Sequence, residues 1–147
     1  MVIDSLTSLI TMFTDSWTSA NTDSKTPTFA KITSYKRIEQ NNNQDWILLH
    51  RVRPSREAAG IGTGSKVLND EVDIDIRVFG ANQEAHFYKV ITEMERILDT
   101  KIISPFSGYQ ILDPDYGSGQ DLSDKYRGIW RLLITIKLIN YNTARGT

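Results

Sequence analysis

Residues 69–98 read NDEVDIDIRVFGANQEAHFYKVITEMERIL, a strand pattern that runs without a break into a helix pattern. Val72, Ile74, Ile76 and Val78 alternate with Asp73, Asp75 and Arg77, the period of two expected of a half-buried strand. Gly80 ends the alternation, and Asn82 is placed to cap a helix, because its side-chain oxygen accepts from the free amides of a first turn. Glu84 then falls where the helix dipole favours an anion. Phe87, Val90, Ile91, Met94, Ile97 and Leu98 recur at spacings of three and four, so they form one apolar stripe that can lie across the inward face of the strand.

Upstream, Ile3, Leu6, Ile10, Phe13 and Trp17 predict a first helix over about residues 4–19. The polar stretch 21–27 ends at Pro27 and reads as a loop. Residues 29–39 and 45–53 (DWILLHRVR) carry strand-forming residues around a turn at 41–44, which predicts a hairpin. Pro54 should close its second strand, and 55–70 (SREAAGIGTGSKVLND) has three glycines and no period. Loops of that length in compact domains usually carry function, so it is expected to be a partner-contacting arm.

Downstream, residues 104–107 turn the chain, 109–112 form a short strand, and 113–124 (DPDYGSGQDLSD) form a second loop. In the last strand, 127–141, Trp130, Leu132, Ile134, Ile136 and Leu138 read as core, with Arg131, Thr135 and Lys137 outward. Leu133 and Ile139 interrupt that outer face, and with Ile47 and Leu49 they suggest apolar patches for a subunit interface. The pattern predicts an α+β fold: a mostly antiparallel sheet of about four to five strands with two helices packed on one face, one domain over 1–147, and a flexible tail at 142–147.

A chain of 147 residues buries roughly two-thirds of its unfolded surface, enough for a core without staples. Its net charge of −1 argues against a sequence-independent grip on nucleic acid. The absence of cysteine excludes disulfides, thiolate metal sites and a thiol nucleophile. The first 20 residues lack a basic leader and carry Asp4 and Asp15, so no signal peptide is expected, and no apolar run is long enough to cross a bilayer.

Gly60, Gly62 and Gly64 before Ser65 and Lys66 have the composition of a phosphate loop but the wrong spacing, and a strand pattern follows instead of a helix. Asp113, Asp115 and Asp121 resemble the opening of a calcium loop, yet Gly117 replaces an oxygen ligand and no glutamate closes it. His50 and His86 have no partner at metal-ligand spacing and read as structural. No nucleophile elbow or acid–base pair stands out, so neither an enzyme nor a cofactor is expected. Arg51, Arg53 and Arg56 lie close together before the glycines, a solvated face unless Lys66 joins them in meeting phosphate. Asp73 and Asp75, beside Asp70 and Glu71, predict an acidic outer sheet face, which disfavours gripping DNA and suits a passage through which DNA slides.

In element order, length and the segment 72–85 (VDIDIRVFGANQEA), the chain resembles the tail terminator, or tail-completion, proteins of long-tailed bacterial and archaeal viruses, which carry a VxIDVWG-type strand followed by an apolar-rich helix. That resemblance implies a ring, typically of six subunits, that caps the last tail-tube ring and joins it to the head connector. It implies self-association, contacts with tail-tube and connector proteins, a virion location after assembly in the host cytoplasm, and no catalytic residues. By analogy Arg53, Arg56, Gly60, Gly62, Gly64 and Lys66 would contact a neighbouring ring, and Asp73 and Asp75 would line the channel. The loop 113–124 departs from the family pattern. A head–tail connector or a tail-tube subunit is the near alternative, and a nucleic-acid-binding module the more distant one.

Overall fold

The alternating segment is a strand, and it lies at the centre of the sheet. The computed structural model describes residues 5–31, 44–58, 66–103, 109–111, 116 and 119–140, with side chains described throughout except at 51–58, 66–69, 103 and 140. Helix α1 (Ser5–Ser16) is followed by strands β1 (Thr28–Lys31), β2 (Trp46–Ala58) and β3 (Lys66–Phe79), helix α2 (Glu84–Ile103), and strands β4 (Tyr109–Ile111), β5 (Gln120–Asp121) and β6 (Ile129–Asn140). The sheet order is β1-β2-β3-β6-β4, with the two-residue β5 also on β6. Both helices pack on one face, so the α+β architecture matches the sequence reading.

Two expectations fail. Residues 28–31 and 46–49 pair in parallel, Thr28 beside Trp46 and Lys31 beside Leu49, so a tight turn at 41–44 cannot join them as a hairpin. The rest of the first predicted strand lies outside the described residues. Likewise, most of the predicted 55–70 loop is ladder: β2 and β3 stay paired from Trp46↔Arg77 out to Ala58↔Lys66. Pro54 does not end β2. It pairs opposite Asp70 just past a bulge at Arg51/Arg53, and proline is tolerated beside a bulge. Among the described residues β1 runs beside β2 as far as Leu49.

The core forms where the two periods meet. Val72, Ile74, Ile76 and Val78 are buried against Phe87, Val90, Met94, Ile97 and Leu98 of α2, as the stripe requires. In α1 the buried positions are Leu6, Leu9, Met12 and Phe13, with Ile10 and Trp17 at the margin, so the stripe is rotated from the expected one. Ser5 and Ser8 are buried too, small enough for the helix to lie close to the sheet. Phe13 stacks on Phe29 with centroids 5.7 Å apart, and Trp17 meets Phe29 edge-on. Asn82 is no cap: its φ of 60° puts it in a left-handed turn, and the Gln83 carbonyl accepts the first helical bond, from Phe87 N–H. That turn is locked to the start of β6. Gly80 N–H donates to the Gly128 carbonyl at 2.7 Å, and a Cβ at Gly128 would lie 3.0 Å from the Gly80 carbonyl carbon in a left-handed backbone, so position 128 requires glycine.

Truncating the centre should therefore be far more damaging than truncating the rim. Ile74→Ala is expected to lower unfolding free energy by about 3 kcal/mol, and Tyr126→Ala, at a fully exposed position, by less than about 0.5 kcal/mol, as read from urea midpoints at constant m.

Candidate functional site

The face of the sheet away from the helices carries the residues that sequence reading assigned to contact. Cross-strand register sets them in rows: Trp46, Arg77 and Arg131; Leu48, Asp75, Leu133 and Gln120; His50, Asp73 and Thr135. Arg77 and Arg131 lie directly opposite one another, and like charges in that position repel. Asp75 resolves the conflict. Its Oδ2 accepts from Arg77 Nη2 and from Arg131 Nη2, both at 2.9 Å, while its Oδ1 accepts from Arg131 Nε at 3.0 Å.

At Asp75 the acidic channel face is overturned. Asp75 is only 1% exposed and faces two guanidiniums, so it presents no negative charge to a passage. Asp73 is half-buried and accepts from Thr135 Oγ1 at 2.5 Å. Asp70 points to the other face, where it is buried and accepts from Ser5 Oγ at the start of α1. An acidic lining at Asp75 requires a bare carboxylate, and the sheet pairs it with two arginines instead.

The apolar interface is half corrected. Ile47 and Leu49 are fully buried in the core beneath the helices, because they share a face with Ile76 and Ile74, their partners in register. Leu48 is the outward residue, yet only 1% exposed. Leu133 and Ile139 do face outward and are half-buried. On the same face, the Trp46 indole N–H is buried with no hydrogen-bond acceptor among the described residues.

Of the expected arm residues, Arg53 pairs opposite Glu71, Arg56 opposite Leu68 and Lys66 opposite Ala58, while Gly60, Gly62 and Gly64 lie outside the described residues. So do Asp113, Asp115 and Gly117 of the calcium-like loop. Asp121 and Asp124 serve the chain itself. Asp121 accepts from Ser123 N–H at 3.0 Å, and the Ser123 hydrogen bonds hold its carboxyl below the usual range; Asp124 caps the Lys125–Arg127 turn. Among the described residues no group of acidic, histidine or cysteine side chains is arranged to hold a metal.

Two polar clusters were missed in the sequence. The Glu93 carboxylate is buried and accepts from Arg96 Nε and Nη2, both at 2.7 Å, from Thr18 N–H at 2.7 Å and from Asn21 Nδ2 at 3.0 Å. Arg96 Nη2 also donates to the Ser16 carbonyl at 2.9 Å, so α2 holds the end of α1. Arg96 is the main cause of a Glu93 pKa lowered to about 2. The i,i+3 spacing of Glu93 and Arg96 was readable; their backbone partners, more than 70 positions away, were not. In the second cluster His86 lies between Asp23 and Asp45, and Lys89, followed by His86, lowers the Asp23 pKa. Tyr88, Lys89, Glu93 and Arg96 also line a surface depression of about 390 Å³, but its acid and its two cations are engaged in these pairs.

Glu93 should register in acid. Its folded pKa lies below the value of 4.5 for a free glutamate, so its contribution is complete above that value and is lost as pH falls toward 2. At about 1.4 kcal/mol per pH unit, wild type should lose on the order of 3 kcal/mol more than Glu93→Gln between about pH 6 and pH 2 in urea titrations. The Asp75 cluster should be asymmetric. Asp75→Ala strands two facing guanidiniums and is expected to cost about 3–5 kcal/mol, whereas Arg131→Ala leaves the Arg77 pair and should cost about 1–2 kcal/mol by the same measurement.

A search of protein-family models returns no match to this chain, nor does a search of curated proteins.

Proposed function

We propose that this protein is a non-enzymatic structural subunit that joins copies of itself in a ring, six in the family it resembles, to terminate a viral tail tube and connect it to the head. In this reading its partners are its own copies, the tail-tube protein and the head-connector protein, and DNA passes through the ring without specific binding. The observation that carries the reading is the sheet face away from the helices, where Leu133 and Ile139 are half-buried apolar side chains on the outward side of β6.

On the same face Asp75, opposite Leu133, is already paired with Arg77 and Arg131, and the Trp46 indole N–H lacks an acceptor among the described residues. A surface whose charges are internally paired loses little on desolvation against a neighbour.

Native mass spectrometry over a range of protein concentrations, with and without isolated tail tubes, tests the proposal. A discrete ring, or a monomer that becomes a ring on tubes, is the expected result. A monomer indifferent to both concentration and tubes removes the reading.

A further inference from the structure

One titratable cluster fastens three parts of the chain that lie far apart in sequence. The His86 ring, 6% exposed in the first turn of α2, has Nδ1 2.8 Å from Asp23 Oδ2 and Nε2 2.5 Å from Asp45 Oδ2. Lys89 Nζ donates to Asp23 Oδ1 at 2.7 Å. An ionised carboxylate only accepts, so both contacts are hydrogen bonds only when both ring nitrogens carry hydrogen. In that state two carboxylates face an imidazolium and an ammonium, and the charges balance. With one hydrogen gone, a nitrogen lone pair faces a carboxylate, and at the Asp45 side both groups are buried.

We propose that Asp23–His86–Asp45 is a proton-dependent latch that docks residues 18–31, with the edge strand β1, onto α2 and β2. Asp23 and Ser24 have φ of 54° and 62°, consecutive left-handed residues that are costly without side-chain support. The Asp45 carbonyl accepts from Thr28 N–H at 2.8 Å where β1 begins, and β1 pairs with no strand other than β2 among the described residues. Protonation of one ring therefore fastens the segment at both ends of 23–28. The charged groups around the latch are Asp23 from the segment, Asp45 at the entry to β2, and Lys89 with exposed Glu84 from α2. Two turns further along α2, Glu93 holds Thr18 and Asn21 without His86. Phe29 keeps its contacts with Phe13 and Trp17. Release is consequently a local loosening, with the core intact.

Amide hydrogen exchange tests the latch, expressed as protection relative to unfolded-chain rates from about pH 5.5 to about pH 9. Protection at 28–31 should fall roughly tenfold or more as pH rises, with protection of Val90–Leu98 unchanged. Asp45→Asn should flatten that dependence, because the introduced amide nitrogen donates to a neutral Nε2 while Nδ1–H still donates to Asp23. Flat protection in wild type, or an unchanged fall in Asp45→Asn, overturns the proposal. The nitrogen chemical shifts of the His86 ring give a reading in wild type alone: both nitrogens protonated while 28–31 is protected supports the latch, and a neutral ring with 28–31 still protected defeats it.

Discussion

A strand with neighbours on both sides has to satisfy whatever its alternate residues point at, and β3 points in two incompatible directions. Toward the helices it sends Val72, Ile74, Ile76 and Val78, all fully buried. Toward the other face it sends Asp73, Asp75 and Arg77, with Asp75 and Arg77 buried as well. The first set determines where α2 lies, since its stripe has no comparable apolar surface to cover. The second set determines what β6 must bring, because one buried carboxylate beside one arginine on a central strand requires a neighbour that completes the site. Arg131 does so from directly across the ladder.

The parts of the fold legible in the sequence are those fixed by local period. The β3–α2 unit is legible because alternation gives way to a three-and-four spacing within 30 residues. β6 is legible because Trp130, Ile134, Ile136 and Leu138 alternate with polar residues. The phase of β2 was not legible: Trp46, Ile47, Leu48 and Leu49 are apolar in succession, so nothing local says which pair faces the helices, and β3 decides it by pairing Ile47 with Ile76. The direction of β1 was hidden for a related reason. Four residues alongside β2 carry no mark of being parallel, and the result follows from contacts of Phe29 with α1 and of Thr28 with Asp45.

The candidate contact residues divide along the same line. Leu133 and Ile139 face outward, as the polar alternation around them requires. Asp75 was misread because its charge was counted and its partners were not. Arg77, two residues on and therefore on the same face, was a visible partner; Arg131, 56 positions away, was visible only through the register. His86 reads as isolated in the sequence because Asp23 and Asp45 lie 63 and 41 positions from it. In each case the missing information was a long-range pairing, while the residue types themselves were in view.

The buried ion cluster also answers a question that the hydrophobic pattern leaves open. Leu132, Ile134, Ile136 and Leu138 are near-equivalent aliphatic residues, so sliding β6 by two positions along β3 keeps an apolar chain opposite each of Val72, Ile74 and Ile76. Packing alone separates those registers weakly. The charges separate one of them. A slip that brings Thr135 opposite Asp75 takes Arg131 away from that carboxylate; the opposite slip sets Arg131 directly across from Asp75, and there it is the Thr135–Asp73 contact and the Gly80–Gly128 hydrogen bond that are lost. A buried ion pair adds little net stability over an apolar pair of the same shape, but stripping a partner from it is costly. The cluster therefore acts on the gap between the native register and one neighbouring register more than on the depth of the native state, and the Gly80–Gly128 bond acts against the other. That gap keeps β4 and β5 aligned on the far edge of β6 and the β2–β3 ladder aligned on the other side of β3.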